Sequence, residues 1–247
     1  MANKFELSVI IPVFNEQKRI VQFLKDMRVA AQKNWEIIFV DDGSKDDSAN
    51  IIKNSGIRNL TVVSYRSNKG KGFAVKKGVD AARGKYIIFI DADGSVHPSM
   101  INKMLKFLKR HDFVVGSRTQ EDSKVEQPIF REFVGICFNV YSNILFGLSI
   151  KDKLCGFKGF KSNLAKELFS SLKSNRWVFD IEIFFKAKKN NIQPFEIPIK
   201  WQYKDKSKMK IYDPLKIAFE LVTLRLKLYS RTKIIRQLLS VRNTKKT

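Results

Sequence analysis

Two aspartates, Asp91 and Asp93, stand one residue apart at the end of the apolar run "GKYIIFIDADGS", Gly84 to Ser95. On an extended strand, residues i and i+2 face the same side, so the spacing predicts two carboxylates converging at one sheet edge. Like charges that close are unfavourable unless something positive lies between them. Hard divalent cations such as Mg²⁺ or Mn²⁺ take oxygen ligands of this kind and usually retain a bound phosphate. The competing reading is a solvated turn, because turns are rich in aspartate. A position directly after "YIIFI", on a central strand, favours the metal.

Two further clusters carry chemistry. "VDDGSKDDS" ends another apolar run with Asp41, Asp42 and Gly43; an acid there can accept hydrogen bonds from a ribose or a base edge. Its alternative is an N-capping turn, with Ser44 the expected cap. "NKGKGFAVKKG" places Lys69 and Lys71 between glycines at a helix start, where backbone N–H groups and the helix dipole suit an anion. The G-x-x-x-x-G-K-[ST] and G-x-G-x-x-G spacings are both absent, so phosphate hydrolysis and hydride transfer find no support. His97 and His111 offer no Ser-His-Asp order, and His97 beside Pro98 reads as a turn residue.

The elements that must position these groups follow from periodicity. Up to about Arg118, apolar runs ("LSVIIPVF", "WEIIFVDDGS", "NLTVVSY", "KYIIFIDADGS", "DFVVGSR") alternate with helical patterns. These include "EQKRIVQFLKDMRVAAQK", "SKDDSANIIKNS", "GKGFAVKKGVDAAR" with Gly84 as C-cap, and "PSMINKMLKFLKR" with Pro98 at its start. Continuous apolar strands alternating with helices imply an α/β fold, with a parallel sheet covered on both faces. Ligands then bind beyond the carboxyl ends of the strands, where every cluster above sits. After Arg118 the alternation breaks, and the second half reads as an accessory layer on the same domain.

The chain of 247 residues carries 47 Lys+Arg against 24 Asp+Glu, a formal charge of +23. From Lys200 to Thr247 there are 14 basic and 3 acidic residues. Such an excess favours an anionic partner, nucleic acid or an acidic membrane surface. No nucleic-acid motif accompanies it, which argues against nucleic acid. Cys137 and Cys155 follow no metal or disulfide pattern, and the N-terminal stretch lacks the apolar core of a secretory signal, so reducing cytosol is expected.

Phe133 to Ile150 is uncharged over 18 residues, yet its Asn, Ser and Gly content favours a buried or interface-lying helix over a spanning one. "PLKIAFELVTLRLKLYSRTKIIRQLL" has one polar stripe (Lys216, Glu220, Thr223, Lys227, Arg231) on an otherwise apolar helix. It suits a headgroup layer, or else packs on its own domain.

"SVIIPVFNE", "VDDGSKD", "NKGKGFAVKKG", "IDADGS", "VVGSR", "DKLCGFKGF", "RWVFDIEI" and "PIKWQYKDKSKM" occur together and in order. Together they resemble the family 2 glycosyltransferases of GT-A fold, and within them the polyprenyl-phosphate (dolichyl-phosphate) hexose synthases. The resemblance runs from about Leu7 to Met209. It implies a mostly parallel, Rossmann-like catalytic domain over residues 1–212, and a basic amphipathic helix and tail over 213–247. It implies transfer of a hexose from a nucleotide sugar to a lipid phosphate on the cytosolic membrane face.

By that resemblance, Pro12, Phe14, Asn15 and Glu16 line the nucleotide pocket, Asp42 contacts the base, and Lys71 and Gly72 lie near the nucleotide. Asp91 and Asp93 hold Mg²⁺ or Mn²⁺ on the diphosphate. Arg118 and Arg131 receive the lipid phosphate, with Lys208. Asp180 belongs to the active-site segment "FDIE" with Glu182 behind it, although such an acidic pair could equally serve as salt-bridge partners.

Ser95 stands where mannosyl-type members commonly carry a metal-binding Gln, and Leu154 stands where Gln is usual. The first departure leaves the third ligand unassigned. "GKGFAVKKG", "DADGS" and "RWVFDIEI" tilt the donor to UDP-glucose over GDP-mannose. A transferase acting on another saccharide or lipid acceptor is the alternative. With no spanning helix in the chain, the resemblance is to the peripheral type, which a membrane-protein partner could hold in place.

Overall fold

The computed structural model describes residues 4–126, 129–202 and 216–229, with backbone alone at 126 and 129–134. The first half alternates as the apolar runs require: β1 (Phe5–Val13), α1 (Ile20–Ala30), β2 (Trp35–Asp41), α2 (Ser48–Lys53), β3 (Leu60–Ser64), α3 (Lys71–Ala81), β4 (Gly84–Ile90), α4 (Met100–Leu108) and β5 (Phe113–Ser117). There follow β6 (Lys124–Glu126), α5 (Ile129–Phe146), β7 (Phe157–Lys161), α6 (Ser162–Ser170), α7 (Phe179–Lys189), β8 (Phe195–Pro198), β9 (Lys200–Gln202) and a helix, α8, over 216–229.

The main sheet runs β3-β2-β1-β4-β7-β5-β8. The β1–β2, β2–β3, β1–β4 and β5–β8 pairs are parallel, whereas β7 is antiparallel to both β4 and β5. β6 and β9 form a small parallel pair beside it. Strand order reverses between β1 and β4, the switch point where an open α/β sheet forms its crevice.

Side chains alternate across the sheet as strand geometry demands. Leu7, Val9 and Ile11 of β1 join Ile88 and Ile90 of β4 beneath α1 and α4. Ile10, Ile87 and Phe89 face the opposite layer, with Ala74 and Val75 of α3, Phe169 of α6, and Phe179 and Ile183 of α7. Nearly every one of these residues is fully buried, so register is fixed by which face each can occupy.

Several expectations are corrected. The second half is no accessory layer: β7 is wedged into the middle of the sheet and β8 closes one edge. The sheet is therefore mixed. Ser44 does not cap a helix, because α2 begins at Ser48 and the Ser44 hydroxyl accepts the Asn15 N–H at 2.9 Å. Gly84 is no C-cap; α3 ends with Ala82 in extended conformation. Gly84 instead opens β4, where a β-carbon would lie 2.6 Å from the Ser8 backbone nitrogen.

For the tail helix, the structure shows packing on its own domain. Ile217, Leu221, Leu224 and Leu228 join the core that contains α3 and α7. Its other side leaves Phe219 and Leu226 75% and 63% exposed. No helix among the described residues is long and apolar enough to cross a membrane.

Candidate active site

β4 ends at Ile90, and the chain turns through Ala92–Ser95. Asp91 and Asp93 are thus not on the strand, and the two-residue alternation does not aim them. A turn does so: the Asp93 Oδ1 accepts the Ser95 N–H at 2.9 Å, and Gly94 takes φ +74°, a conformation open to glycine at little cost. The turn weighed from sequence is thus present, and it is the turn that sets the two carboxylates.

Asp91 Oδ1 lies 2.6 Å from the Nζ of Lys71, the first residue of α3. On its other side Gly156 leaves room for it. A β-carbon there would overlap both carboxylate oxygens and the carbon between them, the farthest of these at 2.8 Å. Burial pushes the Asp91 carboxyl above its ordinary range against the pull of Lys71, and Asp93 and Asp180 push it further. Burial works against the Lys71 charge, yet Asp91, Asp180 and Asp93 outweigh it and raise the ammonium pKa. Burial leads for Asp91, while a local excess of negative charge adds to its rise and is what raises Lys71.

That excess fits a divalent cation. Among the described residues no three His, Cys, Asp or Glu are placed to enclose a metal. Asp91 and Asp93 bring carboxylate oxygens, the donor type that Mg²⁺ and Mn²⁺ take.

The loop after β1 crosses the carboxyl end of β2. Pro12, half-buried, is paired within β1 opposite Val40, and half-buried Phe14 follows the strand. Asn15, at φ +50°, accepts the Lys45 N–H at 2.8 Å. The Glu16 N–H is donated to the Ser48 hydroxyl at 2.8 Å, while its carboxylate holds Arg19 through contacts of 2.7 Å. Burial opposes the Arg19 charge, but Glu16 raises its pKa, aided by Asp93 and Asp91. Arg19, which sequence reasoning missed, therefore lies within the field of the two turn acids.

Asp42 is turned inward. Its carboxylate accepts the Lys69 and Gly70 N–H groups at 2.7 and 2.8 Å, and the Asn68 side-chain amide at 2.8 Å. Burial and then Asp42 push the neighbouring Tyr65 phenol well above its ordinary range. Gly72 is buried too: a β-carbon would meet the Ser174 carbonyl at 2.6 Å and the Phe179 β-carbon at 2.7 Å. The Asn175 carbonyl accepts the Phe73 N–H at 3.0 Å. Glu182, fully buried, accepts the N–H groups of Lys173 and Ser174 and pairs with Lys186 at 2.8 Å. Asp42, expected at the nucleotide like Gly72, holds the loop before α3; Gly72 lets the first turn of α3 approach Ser174 and Phe179, and Glu182 fixes the strap laid across it.

Asp180, in the first turn of α7, pairs at 2.8 Å with Lys158, a fully buried residue of β7. Arg118 follows β5 and is clamped by Asp152: the Nε and Nη2 donate to the carboxylate at 2.8 and 2.9 Å, and the backbone N–H adds a third bond at 2.9 Å. The guanidinium also lies 5.3 Å from the Trp201 ring. Burial opposes ionisation of Asp152, but Arg118 outweighs it and holds the carboxyl below the usual range. A guanidinium has five N–H donors, so Arg118 retains donors beyond those Asp152 takes. Burial pushes the Cys155 thiol up to about 12, leaving it protonated and inert. The Arg131 backbone lies in α5 but its side chain is outside the described set, and Lys208 lies outside the described residues.

Acids at the carboxyl edge of a mostly parallel sheet, gathered near its switch point, suit the GT-A fold of nucleotide-sugar glycosyltransferases. The fold is shared with glucosyl-3-phosphoglycerate synthase of Mycobacterium tuberculosis, crystallised with Mn²⁺, UDP and glucosyl-3-phosphoglycerate. The TM-score is 0.67 at 17% identity, covering 88% of this chain and 77% of that one. The profile of glycosyl transferase family 2 matches residues 8–169, and the chain belongs to this family. Dolichyl-phosphate beta-glucosyltransferase of Dictyostelium discoideum is 33% identical over 240 residues, 89% of this chain and 73% of that protein. The Saccharomyces cerevisiae protein of the same name is 33% identical, covering 89% of this chain and 74% of its own length.

Proposed function

We propose that this glycosyltransferase moves glucose from UDP-glucose to a polyprenyl or dolichyl phosphate at the cytosolic membrane face, with inversion at the anomeric carbon. The observation that carries the reading is the Asp91 turn, set against Lys71 and Gly156 at the sheet's switch point, in a chain whose relatives are named for glucosyl transfer to dolichyl phosphate.

Asp91 and Asp93 would hold Mg²⁺ or Mn²⁺, which would offset charge on the departing nucleoside diphosphate. Lys71 sits where it can meet a diphosphate oxygen, backed by the N-terminus of α3. Pro12, Phe14, Asn15 and Glu16 border the same crevice, and Asp42 acts on the nucleotide by holding the loop of Lys69 and Gly70.

The acceptor phosphate is already an anion near neutral pH, its second pKa being about 6, so no strong base is needed. Arg118, Arg131 and Lys208 would receive it. For Arg118 the Asp152 clamp fixes the plane of the fork, which suits oriented phosphate binding. Asp180, paired with Lys158, acts on Lys71 and Asp91 from α7.

The membrane side is carried by two helices. Ile136, Val140 and Ile144 of α5 and Phe219, Val222, Leu226 and Tyr229 of α8 are exposed, most of the large apolar residues so placed. Lys216, Arg225 and Lys227 lie among them, and each cation near an anionic surface adds about 1 kcal/mol. A membrane-protein partner could strengthen the attachment.

The test is to incubate the protein with Mn²⁺, a polyprenyl phosphate and radiolabelled UDP-glucose or GDP-mannose. Glucolipid formed from UDP-glucose is expected. Mannolipid instead would move the donor to GDP-mannose, and no glycolipid with either donor would sink the reading.

A further inference from the structure

Lys158 has no solvent exposure and does not contact the crevice. Its surroundings are nonetheless specific. The Nζ is 2.8 Å from Asp180 Oδ1 and donates to the carbonyls of Cys155 and Lys153 at 2.5 and 3.3 Å. It faces the rings of Phe89 and Phe184 at 5.5 and 5.3 Å. The backbone of Lys158 is paired with Phe89 of β4 and Val115 of β5. One residue thereby joins α7 and the segment leading into β7 through its ammonium, and β4 and β5 through its backbone.

That segment carries Gly156, whose missing side chain is the space the Asp91 carboxylate fills. The carbonyl of Cys155, one bond earlier in the chain, is the shortest contact Lys158 makes. Asp180, held from the other side, acts electrostatically on both Lys71 and Asp91. Lys158 in turn acts on Asp152, the residue that clamps Arg118. The groups read here as donor-side and acceptor-side therefore share one buried cation behind them.

A buried ion pair is a weak source of stability, and apolar residues of similar volume often replace one without loss. Lys158 stands among Phe89, Phe184 and Phe179, where a methionine would pack. Stability alone does not account for a lysine there; its directed contacts do.

We propose that Lys158 is a positioning residue for sugar transfer: its ammonium ties the Lys153 and Cys155 carbonyls to Asp180, and so holds Gly156 against the Asp91 carboxylate. This rests on the reading of Asp91 as a donor and metal residue.

The test compares Lys158→Met, Lys158→Arg and the double variant Lys158→Met/Asp180→Asn with wild type. Binding of UDP in the presence of Mn²⁺ is measured by calorimetry, glucolipid turnover by radiolabel, and folding by thermal unfolding. Lys158→Met is expected to weaken Mn²⁺–UDP binding at least tenfold and lower kcat further. Lys158→Arg, which retains a donor, should recover most of both. The double variant removes the buried charge imbalance and is expected to fold even if the single one does not, yet still to bind Mn²⁺–UDP weakly.

Wild-type affinity in either folded Met variant would overturn the proposal. So would failure of Lys158→Arg to improve on Lys158→Met. A wild-type protein that binds Mn²⁺–UDP but makes no glycolipid would overturn the acceptor reading, and Lys158 would still be judged by binding. A wild-type protein that does not bind Mn²⁺–UDP would overturn both.

Discussion

Gly156→Ala isolates the Asp91 carboxylate from everything else in the fold. Gly156 is not among the residues with positive φ, so alanine brings no backbone strain. Its β-carbon would overlap three atoms of the Asp91 side chain, the farthest at 2.8 Å. Ordinary carbon contacts lie near 3.5 Å, so even that atom must retreat by roughly 0.7 Å, and the other oxygen and the carboxyl carbon by more.

Because the carboxyl carbon must move too, the whole side chain has to turn about its Cα–Cβ bond, which the half-exposed turn allows at small cost to stability. Alanine also restricts the unfolded chain, worth about 0.4–1 kcal/mol in favour of folding. The same rotation breaks the 2.6 Å contact with Lys71 and withdraws a metal oxygen. Misplacement of a reacting group by about 1 Å costs on the order of 100-fold in rate. Thermal unfolding should therefore be unchanged or slightly improved, while glucolipid formation drops about 100-fold and Mn²⁺–UDP binding weakens. A Gly156→Ala protein with wild-type binding and turnover would refute both the geometric argument and the place of Asp91 in the site.

Asp42→Ala strips the acceptor from two backbone N–H groups in the loop before α3. Each buried group left without a partner costs roughly 1–3 kcal/mol, so both the unfolding temperature and UDP affinity should fall; unchanged UDP affinity would detach this loop from the nucleotide. Asp152 has a depressed pKa, so its contribution is present above the ordinary carboxylate value of about 3.9 and is lost as pH falls through its lower folded value. Asp152→Asn should destabilise the protein at neutral pH by about 2 kcal/mol, flatten its acid-unfolding curve below pH ~4, and raise the KM for lipid phosphate more than that for UDP-glucose; a parallel acid curve would contradict the pairing. Phe219→Glu with Leu226→Glu changes only exposed positions of α8. Removing two apolar anchors should weaken vesicle binding by about 3 kcal/mol or more, roughly a hundredfold, with folding intact, and full flotation with anionic vesicles would remove α8 from the membrane face.

The first half of the fold was legible because each strand there is an uncharged or nearly uncharged apolar run and the helices between them have their own period. The second half was not, because β7 is five residues, "FKGFK", with two lysines. One of them is buried only because Asp180, from a helix 22 positions on, comes to meet it. The site divided in the same way. Asp91 and Asp93 could be found from their neighbours, but Asp152 and Gly156 work through partners far along the chain. Asp42 also accepts the Lys69 and Gly70 backbone N–H groups, partners that residue type and strand end do not reveal. The motif "DKLCGFKGF" held the clue, since it contains Asp152, Cys155, Gly156 and Lys158 together.

The antiparallel wedge has a consequence for synthesis. Ile90 pairs with Phe157 and Tyr86 with Lys161, so one edge of β4 waits some 67 to 75 residues for its partner. β5 waits as well, because its neighbours are β7 and β8. At roughly 5–20 residues per second on a ribosome, the nascent chain carries an open apolar edge for several seconds. Edges of that kind recruit other chains. The segment that looks like a self-sufficient nucleotide-binding half is therefore the one a truncated or stalled product would aggregate through, and a chaperone that shields β4 until residue 161 emerges would protect the catalytic turn at its end.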